Sequence, residues 1–325
     1  MTALFAGIRA ACAEVMARAR FVRLDPVALE ALARELLGEP AAPPAWDPTT
    51  HHRGAPSSTL AYVITLDAMN FGSGWFPKLR KRAGRSGYYT LAMGLKDRFD
   101  NEGAWRAAEL AELGAEEVAR ALGQDLADPE LAELMRLYAR ALADLGELLL
   151  ARYRGHFEGL IEEAEGSAAR LVLALARMPL YRDIAHYPSG AADGFAVPFY
   201  KRAQITAADL ALAFDGQGAG RFGDLDELTA FADNLVPHVL HVTGALRYAP
   251  ELETRIGDGA LIASGSTEEI EIRAAGVHAV ERLVDALRRA GRRTTARELD
   301  FALWQRGQRP ELKARPRHRT RCAFY

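Results

Sequence analysis

The sequence predicts a mainly α-helical fold with little β structure. Over most of the chain, apolar residues recur at a spacing of three to four, which is typical of amphipathic helices. Helix-start signals support this prediction. The clearest is Asp25 before Pro26, since aspartate caps helices and proline suits the first helical position. No internal repeat, heptad run or low-complexity tract interrupts the pattern.

The periodicity divides the chain into helices and loops. The predicted helices cover residues 3–20, 26–37, 88–100, 104–122, 128–151, 156–177, 201–216 (capped by Thr206), 228–249 and 272–290. The apolar run 60–71 fits either a strand or a buried helix. Segments rich in glycine, proline, basic or aromatic residues are expected to be loops or turns, namely 38–54, 72–87, 181–200 and 257–266.

Length and composition are those of an ordinary globular protein. The chain has 325 residues, of which 49% are apolar and 26% charged, and it is expected to form one domain over 1–325, with two intimate helical lobes as the alternative. With 41 basic and 43 acidic residues the net charge is −2. Proteins that hold nucleic acid usually carry a basic excess. The balance therefore favours a small-molecule substrate over a stable nucleic-acid complex.

The sequence lacks the signatures of several other classes of protein. No apolar stretch is long enough to span a membrane, and the N-terminus lacks the basic start and cleavage site of a signal peptide. Two cysteines, Cys12 and Cys322, are too few for a four-thiolate metal site and are expected to be free thiols in a reducing cytoplasm. The sequence has no GxGxxG after a predicted strand, no GxxxxGK(S/T) loop, no HExxH and no GxSxG. The adjacent pair His51-His52 cannot place both rings on one metal from a regular element, so no metal site is expected.

Two segments combine groups that suit a nucleotide. Asp67, Asn70, Phe71 and Trp75 lie close together in LDAMNFGSGWFPK, and a heterocyclic base requires such polar groups at its edge and aromatic rings on its faces. The alternative is that the aromatics are core and Asp67 caps a helix. In VPFYKRAQI, Lys201 and Arg202 are natural phosphate ligands, or else a solvated pair at a helix start.

Two further segments carry charges beside apolar residues. Asp233, before a helix that holds His238, is placed either to point its carboxylate into a cleft or simply to cap the helix. In GSTEEIEIRA, Glu269, Glu271 and Arg273 alternate with isoleucines, which predicts a short extended segment with its polar side towards a site or water. The C-terminal tail, which ends in Phe324 and Tyr325, is expected to dock on the protein body.

Taken together, these segments resemble the queuosine salvage protein family, the queuosine monophosphate N-glycosylases. The resemblance rests on LDAMNFGSGWF, FYKRAQI, LTAFADNLVPHVL, GSTEEIEIRA and HRTRCAFY, in that order from about residue 50 to the end. It implies a compact helical fold similar to that of helix-hairpin-helix DNA glycosylases. The chain departs from the family pattern at Asn234 and His238, where an aromatic residue and a glutamine are usual.

The resemblance also implies site roles. Asp233 matches the catalytic aspartate and Lys201 its basic neighbour. Substrate contacts are expected from Asp67, Asn70, Phe71, Trp75, Tyr200, Arg202, His238, Arg273 and His52. The implied reaction releases queuine from queuosine 5'-monophosphate and requires no metal or organic cofactor, while the oligomeric state stays open. Two competing hypotheses are a DNA-lesion N-glycosylase and a non-catalytic helical module that binds transfer RNA or a nucleotide.

Overall fold

The computed structural model describes residues 2–39 and 45–325, and these residues are mainly helical. The α-helices are α1 Ala3–Arg18, α2 Pro26–Gly38, α3 Pro56–Ala68, α4 Gly87–Glu102, α5 Ala107–Glu112, α6 Ala115–Leu122, α7 Pro129–Tyr153, α8 Glu158–Ala164, α9 Ala168–Leu175, α10 Lys201–Ala213, α11 Leu235–Val242, α12 Pro250–Gly257, α13 Thr267–Arg289, α14 Ala296–Arg306 and α15 Pro310–Lys313. The strands are β1 Val22–Leu24, β2 Ile184–Tyr187, β3 Phe195–Pro198 and β4 Leu246–Tyr248. The predicted fold class is confirmed.

The chain forms two compact units. The first unit comprises the described part of residues 1–44 together with 183–201 and 226–321, and the second comprises 45–182, 202–225 and 322–325. Each unit is therefore built from segments that are distant in sequence. Within the described ranges, no helix combines the length and the apolar character that a membrane span needs.

The core of the first unit is built around α13. This helix of 23 residues is buried along most of its length and packs against α1, α2, α11 and α14. Two small antiparallel sheets complete the unit: β1 pairs with β4, with Arg23 opposite Arg247, and β2 pairs with β3 as a hairpin. At the start of α2 the Asp25 side chain accepts the N–H groups of Val27 and Ala28, which confirms the predicted cap.

The second unit is organised by α7, a helix of 25 residues that contacts α3, α5, α6 and α8. The apolar run 60–71 is resolved as the buried helix α3, which begins at Pro56. The tail is docked as predicted, since Tyr325 is buried and its carbonyl oxygen accepts the N–H of Gly72 at 3.0 Å.

Several predicted boundaries are wrong. Residues 104–122 and 156–177 each form two helices, and only Leu235–Val242 of 228–249 is α-helical. The predicted loop 181–200 contains the β2–β3 hairpin. Thr206 lies inside α10 and donates to the Arg202 carbonyl, so it is not the cap. Of the predicted loop 38–54, residues 40–44 lie outside the described residues.

The predicted extended segment 269–273 is also wrong, because it lies within α13. Its charges are buried rather than exposed on one side. The Glu271 carboxylate accepts the backbone N–H groups of Arg20, Phe21 and Val22 at 2.6–3.1 Å and the Tyr187 hydroxyl at 2.9 Å. A buried helix whose charged side chains find partners inside the protein loses its polar face, and the apolar spacing no longer reveals the helix.

Candidate active site

Asp233 lies in the first unit at the end of an irregular segment, and Asn234 separates it from Leu235, the first residue of α11. Its Oδ1 atom accepts the N–H groups of Leu235 at 2.9 Å and Val236 at 3.0 Å, so the first turn of the helix holds the carboxylate. The second oxygen, Oδ2, accepts no hydrogen bond from any residue that the structure describes. One oxygen thus fixes the group while the other is available to a ligand.

Two cations act on the Asp233 carboxylate. Burial raises the pKa of Asp233, whereas Lys201, the two backbone N–H groups and Arg317 lower it. Lys201 is the first residue of α10 and is only 6% exposed. Arg317 is half-buried, and burial lowers the pKa of its guanidinium although the Asp233 charge opposes this shift. The site therefore concentrates one carboxylate and two cations in a poorly hydrated place.

A buried ion pair holds the segments that carry these groups. Arg273 binds Asp183 through two hydrogen bonds, at 2.9 and 2.6 Å, and its Nε donates to the Ala232 carbonyl at 3.0 Å. Asp183 also accepts the Lys201 backbone N–H at 3.2 Å. Arg273 thus links the residue before Asp233 to the start of α10 through Asp183, a residue that sequence reasoning missed because nothing local distinguishes it.

A second missed residue is Asp300 on α14. It is 5% exposed, and its Oδ1 accepts the Phe231 N–H at 2.9 Å. Burial and the charge of Asp233 raise its pKa well above the usual value, while the Phe231 N–H and Lys201 oppose this. The available sequence signal was an aspartate between core leucines, Leu299 and Leu303, on an amphipathic helix.

Two other predicted residues of the first unit lie in constrained environments. Tyr200, directly before Lys201, has φ of +48°, a left-handed conformation that is uncommon for tyrosine. His238 is buried on α11 with its Nε2 2.8 Å from the Leu312 carbonyl, and burial lowers the pKa of its imidazole. The neutral ring therefore donates to this carbonyl. The predicted substrate contacts of Tyr200, His238 and Arg273 stay predictions.

The second unit brings together the end of α3 and the start of the following loop. The side chain of Asn70 donates to Asp67 Oδ1 at 3.3 Å. The Phe71 ring packs edge-on against Tyr138, with centroids 4.9 Å apart, and Trp75 Nε1 donates to Glu133 at 3.0 Å. Both predicted stacking rings are almost fully buried. Their expected roles towards a base stay predictions.

Arg202 and His52 belong to the same unit and have internal partners. The Arg202 guanidinium donates to the carbonyls of Asp67, Ala68 and Leu180, and it lies over the rings of Phe71 and Tyr181 at 4.8 and 4.2 Å. His52 contacts Asp100 through Nδ1 at 2.6 Å and Ser58 through Nε2 at 2.8 Å. These contacts fix both side chains within the second unit, and direct substrate contact from either residue stays a prediction. Among the described residues, no group of three or more His, Cys, Asp or Glu is arranged to hold a metal ion.

The fold and this site define a mainly α-helical protein with a carboxylate-centred site at a helix start. A family model described as queuosine salvage protein matches residues 50–325, and the chain belongs to this family. Proteins named queuosine 5'-phosphate N-glycosylase/hydrolase are similar to it. The one from Sphaerobacter thermophilus is 38% identical over 324 residues, 98% of both chains. Those from Dictyostelium discoideum (35%, covering 82% of this chain and 78% of the relative) and Mus musculus (32%, 84% of each) are similar as well.

Proposed function

We propose that this chain hydrolyses the N-glycosidic bond of queuosine 5'-monophosphate and releases queuine for salvage. The family membership supports the substrate, and the Asp233 carboxylate carries the chemical argument. Cleavage of the bond places positive charge on the ribose carbon and negative charge on the departing base. A carboxylate with one fixed and one available oxygen suits the stabilisation of that cationic centre.

Asp233 is proposed to act on both the sugar and the water. Its charge stabilises the developing cation at the ribose carbon, and Oδ2 orients and deprotonates the water that attacks this carbon. The positive charge of Lys201 favours the ionised form of this carboxylate. Because burial raises the pKa of Asp233, activity is expected to fall on acidification at a higher pH than an ordinary aspartate would give.

The phosphate is expected to bind a cation of the same unit. Arg317 is half-buried beside Asp233, and a phosphate would supply hydrogen-bond acceptors for its guanidinium. Binding energy from this remote group would help to position the scissile bond. We also propose a cytoplasmic location, since Cys12 and Cys322 are both buried thiols outside any disulfide.

The experiment compares wild type with Asp233→Asn on queuosine 5'-monophosphate and follows queuine by chromatography and mass spectrometry. Asparagine caps helices as well as aspartate does, so this variant keeps the α11 start and loses only the charge. We expect a loss of about 100-fold or more in kcat.

Asp285→Asn, which removes an exposed carboxylate of α13, is the matched control and should retain full activity. Queuine release that survives Asp233→Asn would remove Asp233 from the mechanism. A folded wild type that releases no queuine would contradict the proposed function itself.

A further inference from the structure

A second carboxyl group, that of Asp300, lies on the interior face of α14. The start of this helix is fixed by a capping box, in which Thr295 and Glu298 each accept the backbone N–H of the other, at 3.2 and 2.9 Å. Asp300 sits on the same face as the core residues Leu299 and Leu303 and packs towards α11 and α13. A carboxyl in such a position is unfavourable for stability unless the fold uses it.

Asp300 holds the backbone that leads to Asp233. Its Oδ1 accepts the N–H of Phe231, two residues before Asp233, and the carbonyl of the intervening Ala232 accepts a hydrogen bond from Arg273. Two consecutive residues of the segment, Phe231 and Ala232, are therefore held by hydrogen bonds, one to α14 and one to α13. Because Asp233 Oδ1 is also tied to α11, the carboxylate has three separate supports.

The two carboxyls also share a local electrostatic environment. The charged groups that act on Asp300 are Asp233 and Lys201, while Lys201 and Arg317 act on Asp233; on α13, Arg273 is paired with Asp183. Two carboxylates close together and shielded from water cannot both ionise easily. Asp233 accepts two backbone N–H groups and has two cations, whereas Asp300 accepts one N–H group and is more deeply buried. These contacts stabilise a negative charge on Asp233 better than one on Asp300.

We propose that Asp300 is a positioning residue for the hydrolysis: it fixes the Phe231–Asp233 segment and, as the neutral carboxyl of the pair, leaves Asp233 as the one anion. This inference rests on the proposed function. In this role the Asp300 side chain need not touch the substrate. Its effect on the reaction passes through the place and the charge of Asp233.

The first test is the pH profile of kcat/KM with queuosine 5'-monophosphate. In wild type, ionisation of Asp300 as pH rises through its raised pKa adds a second negative charge, which competes for Lys201 and repels the anionic substrate, so kcat/KM should fall. Asp300→Asn keeps an acceptor for Phe231 N–H but cannot ionise. It should retain activity and lack this fall at high pH. A wild-type profile without that fall, or a fall that persists in Asp300→Asn, would overturn the proposal.

The second variant separates position from charge. Asp300→Ala removes the acceptor of Phe231 N–H, and we expect kcat to fall by about 100-fold with KM nearly unchanged, since small displacements of a catalytic group have effects of this size. Equal kcat for Asp300→Ala and Asp300→Asn would contradict the positioning role.

A third measurement needs no substrate and so stands apart from the proposed function. A carboxyl whose pKa is raised by folding destabilises the folded protein as pH rises from the pKa of the unfolded chain to the raised pKa. The Tm of Asp300→Asn relative to wild type should therefore increase from pH 5 to pH 9, and Asp285→Asn should show no such trend. A constant Tm difference would show that Asp300 is not the neutral carboxyl of the pair.

Discussion

At the residue scale, Arg317 is notable because its guanidinium, on which the charge of Asp233 acts, makes no hydrogen bond or ion pair with any of the described residues. Its backbone is nevertheless well fixed, since Asn234 donates to the His318 carbonyl at 3.3 Å and Ile262 N–H donates to the Arg319 carbonyl at 2.8 Å. A half-buried arginine on a fixed segment beside Asp233 is suited to an anionic ligand.

We predict that Arg317→Gln weakens binding of the nucleotide selectively. A hydrogen bond to a charged group contributes about 1.5–3 kcal/mol, so KM for queuosine 5'-monophosphate should rise by roughly 10- to 100-fold. KM for the nucleoside queuosine, which lacks the phosphate, should change little. Steady-state kinetics on both substrates measure this difference.

Arg293→Gln removes an exposed arginine of the same unit and serves as the charge-matched control. Equal losses on nucleotide and nucleoside would mean that Arg317 acts on the ribose or on Asp233 and not on the phosphate.

At the scale of elements, the packing of α7 on α5 depends on one glycine. A Cβ at Gly146 would lie 2.4 Å from the Ala111 nitrogen and 2.5 Å from the Ala107 carbonyl oxygen. Both are backbone atoms of α5. They cannot rotate away as the atoms of a side chain can. The absence of a side chain at Gly146 therefore sets how closely the two helices approach.

We predict that Gly146→Ala destabilises the protein although alanine is the better helix former. Separation of the two helices should cost about 1–3 kcal/mol of unfolding free energy, as overpacking does elsewhere. Gly7→Ala in α1 is the matched control, because no atom lies within 4 Å of its added Cβ. That control should gain up to about 1 kcal/mol from helix propensity. Chemical denaturation measures both, and a stabilised Gly146→Ala would contradict the close approach.

Some helices of this protein follow from local sequence signals, and others do not. The cap at Asp25 and the long helix α7 were predicted because caps and apolar spacing are local signals. The extended segment predicted at 269–273 was wrong because Glu271 and Arg273 find partners about 250 and 90 residues away in the chain. Because these charged residues are buried together with the isoleucines between them, the sequence shows the polar–apolar alternation that is typical of a strand.

At the scale of the whole molecule, buried histidines link stability to pH. Burial is the first cause that lowers the pKa of His51, His238, His278 and His318, the last to about 3. Below pH 6.5 the unfolded chain binds protons that the folded chain does not, so the folded state loses stability as pH falls.

We predict a Tm that decreases from pH 7 towards pH 4, with His318 as a main contributor. A group that stays neutral in the folded state contributes up to about 1.4 kcal/mol of lost stability per pH unit below its unfolded pKa. His318→Gln should therefore flatten the Tm profile between pH 6.5 and 4. His186→Gln, at an exposed histidine, is the control and should leave the slope unchanged. An unchanged slope for His318→Gln would show that this histidine is protonated in the folded state.

The sequence by itself determined the helical class, the helix-start position of Asp233, the docked tail and, through five ordered motifs, the family. Whether the chain acts as a single domain stays a prediction. Only the tertiary structure decided that Arg273 pairs with Asp183 and that Asp300 lies beside Asp233. The physical reason is range: helix periodicity and caps involve residues within about four positions of each other, whereas the partners of a buried charge are chosen by how distant segments pack.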